Sequence, residues 1–176
     1  MRKFLLTSLV VFSCGAAFAG GPVPPVRQIM DITVKNWSGE AEEWKYIFDE
    51  DMLTTVFSKT FADKYREAAK KPAYDSEDKD PGDPFGYDVV TSSQDGCPIA
   101  DLSITPGETK AGVTDVTVKF RLWGCMDEPE MKAMVNEIHF DIIDEGGKPV
   151  INDIHRVVDD GRDSVLSEMA EIAKGE

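Results

Sequence analysis

Apolar positions recur along this chain with two periods, and the change from one to the other divides it. Val26, Ile29, Met30, Thr33 and Trp37 fall at helical spacing just after Pro24-Pro25, and Gly39 stands where a helix would stop. A second helical stretch places Asp49, Glu50 and Asp51 in its first turn. It runs Met52, Leu53, Val56, Phe57, Phe61, Tyr65 and Ala68 down one face, and it closes on Lys70, Lys71 and Pro72. Acid at the start and base at the end both complement a helix dipole, so one continuous helix is predicted over residues 49–71. Residues 72–84 (PAYDSEDKDPGDP) then read as a loop. Its acids do not follow calcium-loop spacing. Counting from Asp75, Glu77, Lys79, Asp80 and Gly86 occupy positions where an EF-hand needs acid, acid, Gly and Glu.

Beyond residue 98 the period becomes two. Leu102 and Ile104 share a parity, residues 106–112 form a Gly-containing turn, and Val116, Val118, Phe120 and Leu122 share a face opposite Thr117, Lys119 and Arg121. This predicts a hairpin whose paired positions sum to about 220–222. A second hairpin is predicted over 133–144 and 149–157 around Glu145-Gly146-Gly147-Lys148, with pairs summing to about 294 and Ile138, Phe140, Ile142, Val150 and Ile154 turned to the core. Val165, Leu166, Met169, Ile172 and Ala173 mark a last helix from about Asp163. Helices, then about four strands in two hairpins, then a helix give an α+β fold with helices on one face of an antiparallel sheet, in a single domain over residues 20–176.

The N-terminus changes the picture of where this domain works. Arg2 and Lys3 precede an apolar and small-residue run of 15 residues, Phe4 to Phe18, and Ala17-Phe18-Ala19 supplies a peptidase site. That layout is a secretory signal peptide (residues 1–19), with cleavage expected after Ala19 and a periplasmic or secreted destination. A rival reading makes Cys14 a lipidated first residue. Phe12 before Ser13, and the small and apolar residues stranded after Cys14, weigh against it. No later apolar run is long enough to span a membrane. The formal net charge of −14 becomes −16 once Arg2 and Lys3 leave with the leader. Such a charge repels nucleic-acid phosphates and anionic headgroups and tolerates a neutral ligand, a cationic ligand or a basic protein.

Loss of Cys14 leaves Cys97 and Cys125, an even count in an oxidising compartment. Their positions sum to 222, which sets them opposite each other at the open end of the first hairpin, so a disulfide is expected.

Two N-terminal helices, Asp83-Pro84-Phe85, Gln94-Asp95 just before the alternating strands, and a closing Asp153-Ile154 resemble exported bacterial proteins of the nuclear transport factor 2-like superfamily. The resemblance spans most of the chain after the leader and departs at Pro149-Val150, where many relatives carry a tryptophan. It implies a cone-like curved sheet wrapped around helices, often with an apolar pocket. Relatives include isomerases, dehydratases, immunity proteins and binding modules, so the fold alone selects no function.

Candidate chemistry is sparse. The chain's two histidines fall on the second hairpin, where the register sets His139 against His155 and Asp141 against Asp153 on one face. Two His and two carboxylates are a ligand set for zinc or another divalent ion. The opposite parity is the apolar one, so the same four residues also read as polar pairs on a solvated outer face. Gln94 and Asp95, with Gly96, read as a turn into the first hairpin. Trp37, Trp44 and Trp123 line a pocket or fill the core. Nucleophile-elbow, HExxH and phosphate-loop patterns are absent. The expectation is a non-enzymatic exported module that binds a small apolar molecule or a protein, with no cofactor. The alternatives are a pocket enzyme using an Asp general base, or an immunity-type inhibitor of a basic toxin.

Overall fold

A computed structural model describes residues 20–71, 82–158 and 161–175. The leader with Cys14 and Ala19, and most of the acidic loop, lie outside the described residues. In chain order the elements are α1 (Val23–Asn36), α2 (Glu50–Thr55), α3 (Lys59–Ala68), β1 (Ala100–Lys110), β2 (Val113–Arg121), α4 (Pro129–Ala133), β3 (Asn136–Glu145), β4 (Lys148–Val158), β5 (Gly161–Arg162) and α5 (Val165–Lys174). The strands form one open antiparallel meander in the order β1-β2-β3-β4-β5. The fold is α+β. It exceeds the expected element count by a split helix, by the short α4 and by the two-residue β5.

Val26, Ile29, Met30 and Thr33 of α1 are buried, and proline in its first turn costs no hydrogen bond because those N–H groups lack helical partners anyway. The stripe from Met52 to Ala68 is buried as expected, but the helix is not continuous. At Phe57 the chain turns extended and bridges Ile151 of β4 in parallel. Ser58 N–H donates to the Ile151 carbonyl (2.8 Å) and Ile151 N–H to the Val56 carbonyl (2.9 Å). The β-branched run Thr54-Thr55-Val56 holds a helix weakly, and Ser58 restarts it by accepting the Phe61 N–H on its hydroxyl. Strand pairing overrides helical periodicity here.

Away from their turns both hairpins keep their predicted register; nearer the turn each shifts by one residue. In the first, pairs run from Ser103↔Lys119 and Ile104↔Val118 to Lys110↔Val113, so β1 continues through Pro106-Gly107 and the turn is only Ala111-Gly112. Both turn residues have positive φ, +51° and +84°, the geometry that two-residue hairpins favour. Cys97 and Cys125 are bonded with Cα atoms 5.7 Å apart, and Cys97 N–H donates to the Leu122 carbonyl (2.7 Å). Gly96 permits this closure. A Cβ there would lie 2.7 Å from Leu122 Cγ and 2.8 Å from Trp37 Cζ3.

In the second hairpin His139↔His155 and Asp141↔Asp153 pair as expected, after which the register shifts so that Ile142 faces Ile151. The additional residue is Asn152, a β-bulge that reverses parity along β4. Ile151 therefore joins Ile154 in the core. Val150, expected there, pairs with Ile143; it is buried, but it does not belong to the main core cluster. The strand expected from residue 133 starts only at Asn136, because Pro129 opens the short α4.

The core lies between one sheet face and the helices. Val116, Val118, Phe120, Leu122, Ile138, Phe140 and Ile142 meet α1, α3 and α5. Phe48 lies at its aromatic end, 4.7 Å from Tyr65 and 5.5–5.8 Å from Phe57, Phe61 and Phe85 between ring centroids. Arg156 of β4 reaches into the same side with its side chain only 13% exposed. It bonds Asp163 (Nε–Oδ2 2.7 Å), Glu168 of α5 (Nη2–Oε2 2.6 Å) and the Tyr87 hydroxyl.

Two stability predictions follow from these closures. Replacing both Cys97 and Cys125 by alanine removes a cross-link spanning 28 residues and should lower the unfolding free energy in urea by about 3–4 kcal/mol. A loss under about 1 kcal/mol would mean that the hairpin closes without it. Arg156→Met leaves two half-buried carboxylates without their cation, and a loss on the order of 3 kcal/mol is expected. A variant as stable as the parent would exclude the pairing.

Candidate functional site

The four hairpin residues do come together, but in two separate polar clusters. His139 is 2% exposed and Asp153 is 7% exposed, so the expected solvated outer face is in fact covered. Side chains from β3 itself and from other strands cover it. Asp115 Oδ1 lies 2.8 Å from His139 Nδ1, with the Thr117 hydroxyl 3.2 Å away, and Glu137 Oε1 lies 2.8 Å from Nε2. Arg162 of β5 closes over Asp115 (2.7 Å), and Lys119 reaches Glu137 (2.7 Å). Burial pushes the Asp115 carboxyl up, but hydrogen bonds from Arg162 and His139 outweigh it and hold the group below its usual range. Lys119, then His139, do the same for Glu137.

Asp153 turns to the helix that follows. Its carboxylate accepts from the Ser164 hydroxyl (2.6 Å) and from the N–H groups of Ile154 (2.8 Å) and Leu166 (3.0 Å), which anchors the start of α5. His155 stands between Asp141 (Nε2–Oδ2 3.0 Å) and the Asp163 carbonyl (Nδ1–O 2.7 Å), with Asp153 Oδ2 3.7 Å away. With an acceptor at each ring nitrogen the imidazolium is favoured. The Asp141 hydrogen bond leads, burial opposes it, and the pKa rises to about 9.

His139 bonds neither Asp141 nor Asp153. Among the described residues no three His, Cys, Asp or Glu side chains are gathered to hold a metal ion. Each histidine nitrogen already faces a protein acceptor, so an incoming ion would have to displace the acceptor at the nitrogen it bound. The arrangement ties strands and α5 together. Neither Asp141 nor Asp153 lines the aromatic cleft described next.

A cleft lies elsewhere among the described residues. It is open, about 560 Å³ in volume, and runs between the segment that follows α1 and the segment that precedes β1. Trp37, Trp44, Tyr46 and Phe48 form one wall, and Phe85, Tyr87, Asp88 and Gln94 belong to the other. Two edge-to-face pairs stiffen it: Trp37 with Trp44 (6.0 Å, 69°) and Phe85 with Tyr87 (6.1 Å, 67°). Two polar bonds fix the walls to each other: Trp37 Nε1–H donates to Asp88 Oδ2 (2.9 Å) and the Tyr46 hydroxyl to Asp83 Oδ2 (2.7 Å), while the Gln94 amide donates to the Gly86 carbonyl within the second wall. Asp88 also accepts the N–H groups of Val90 (2.8 Å) and Thr91 (3.1 Å). Burial, followed by the Asp83 hydrogen bond, holds the Tyr46 hydroxyl protonated well above its ordinary range.

Gln94 thus acts as a wall residue, while Asp95 stays exposed beside Ser93, accepting its hydroxyl on the backbone carbonyl (2.6 Å). Of the three tryptophans, Trp37 and Trp44 line the cleft, and Trp123 packs against the core. Sequence reasoning passed over Tyr46, Asp83, Phe85, Tyr87 and Asp88 as site residues. The available signal was the interleaving of rings with acids in DPFGYD (83–88), matched by the alternating Trp44, Tyr46 and Phe48.

Comparison with protein-family models, curated proteins and solved structures finds no match to this chain.

Because folding favours protonated His155, its contribution to stability is complete below the ordinary imidazole pKa of 6.5 and is lost as pH rises through about 9. Unfolding free energy should decline across that window by on the order of 1–3 kcal/mol, and His155→Gln should flatten the decline. Parallel slopes for parent and variant in urea titrations at stepped pH would remove His155 as the cause.

Proposed function

We propose that the protein is an exported, non-enzymatic binding module that takes a small, partly apolar ligand in the aromatic cleft. The observation that carries this is exposed aromatic area gathered at one concave place. Trp44 is 52% and Tyr46 41% exposed, both on the wall of the cleft, in a chain otherwise rich in surface charge. Leaving such rings wet forfeits burial energy, and concave aromatic surface with a few fixed polar groups is the usual form of a ligand site. The acids suited to a general base are tied into the sheet face, which favours binding over catalysis. The disulfide is compatible with an oxidising compartment, in keeping with the leader-like N-terminus. Among the described residues no helix is long and apolar enough to cross a membrane.

The nuclear transport factor 2-like reading of the fold is kept as part of this proposal. It is supported by helices gathered on one face of an antiparallel meander. The cleft differs from the pocket which that resemblance leads one to expect, because it opens between connecting segments beside the core.

Titration of tryptophan fluorescence with a panel of small amphipathic molecules tests the reading. At least one should give saturable quenching, and Trp44→Ala should weaken it about tenfold while changing stability by less than about 1 kcal/mol. Absence of saturable binding across the panel, or equal affinity in the variant, would overturn it.

A further inference from the structure

Resting on that binding reading, we infer that the cleft takes a neutral saccharide of all-equatorial, β-linked pyranose rings. The first ground is the form of the exposed surface. Trp44 and Tyr46 flank Lys45 in sequence, and all three are exposed on the cleft wall. The cleft is open, so a ligand seated on these rings keeps its other side in water. A wholly apolar molecule would stay partly wet there and gain only part of its burial energy. An all-equatorial pyranose suits both environments. Its hydroxyls project from the rim, and each broad face shows only C–H bonds, polarised positive by the neighbouring oxygens. Such a face complements the negative face of an aromatic ring.

The second ground is what accompanies the rings. Lys45 supplies an ammonium donor on one wall, and Asp88 supplies a carboxylate on the other. Asp88 Oδ2 accepts the Trp37 indole N–H, while the Val90 and Thr91 N–H groups share Oδ1. A carboxylate oxygen has more than one lone pair, so Oδ2 keeps capacity to accept a hydroxyl. Donor and acceptor thus stand on facing walls, and a hydroxyl-rimmed ring uses both. The third ground is stiffness in an exposed place. The buried Asn36 side chain, at the end of α1, donates to the Lys45 carbonyl (2.8 Å) and accepts the Lys45 N–H (3.0 Å). That grip fixes the backbone between Trp44 and Tyr46, and a prearranged platform lowers the entropy lost on binding. The formal charge of −14 repels acidic saccharides and leaves the neutral ones.

The test titrates cellobiose, xylobiose and N,N′-diacetylchitobiose into the purified full chain and follows tryptophan fluorescence. Maltose, which is α-linked, and cyclohexanol, which has the ring without the hydroxyl rim, serve as controls. At least one β-linked disaccharide should saturate, at least about fivefold more tightly than either control. Lys45→Met keeps the apolar stem, loses the donor and spares the backbone groups that Asn36 binds. It should weaken the disaccharide by about three- to fivefold and leave cyclohexanol unchanged. Cyclohexanol or maltose binding as tightly as the β-linked disaccharides, or disaccharide affinity unaltered in Lys45→Met, overturns the inference while the aromatic cleft stands as a binding site. Failure of all three disaccharides overturns it too, and the amphipathic panel then judges the cleft independently.

Discussion

A guanidinium taken out of water has to be neutralised where it lies, and Arg156 imposes that condition on the whole structure. An unpaired buried charge costs several kcal/mol, a large part of the stability of a domain this size. Its partners come from far apart in the chain. Asp163 stands just ahead of α5, Glu168 is on α5, and Tyr87 precedes the first strand. Satisfying one side chain therefore docks the last helix against β4 and brings the 82–95 segment beside it. Tyr87 also hydrogen-bonds Glu168, so the triad is closed on itself. The same Tyr87 is a wall of the cleft, and this makes the position of that wall a consequence of charge pairing in the interior.

Strand β4 carries nearly all of these obligations because the bulge at Asn152 lets it face two ways. Ahead of the bulge Ile151 packs into the core and exchanges backbone hydrogen bonds with the 56–58 segment, breaking what would have been a single helix. The Ser58 hydroxyl completes this junction by donating to Asn152 Oδ1 at 3.0 Å. After the bulge Ile154 and Arg156 face the core side, while Asp153 and His155 project to the other. One inserted residue is thus what allows a single strand to grip α3, cap α5 and hold the outer polar layer.

Local patterning made the strands legible. Parity with a Gly-containing turn gave the register of both hairpins away from their turns, and that register alone set Cys97 opposite Cys125. What escaped the sequence were interactions between distant segments. The stripe from Met52 to Ala68 is helical in period, and nothing in it announces that Phe57 will pair with Ile151, almost a hundred residues later. Asn152 in a strand of alternating residues gives no sign of a bulge. His139 was assigned to an open face by correct parity, but its burial depends on Glu137 beside it on β3 and on Arg162, Asp115 and Lys119 arriving from other strands.

Rarity in composition pointed to the wrong place for function, and hydrogen-bond satisfaction explains why. Two histidines in a chain of 176 residues attract attention, yet every ring nitrogen and carboxylate around them finds a partner within the sheet or the start of α5. A fully satisfied polar set has no remaining affinity to offer a ligand; its free energy is already used in holding strands together. The cleft is the opposite case. Trp44 and Tyr46 on its wall keep much of their surface in water. Unburied rings are free energy that folding has not collected, and a bound molecule of matching chemistry can collect it.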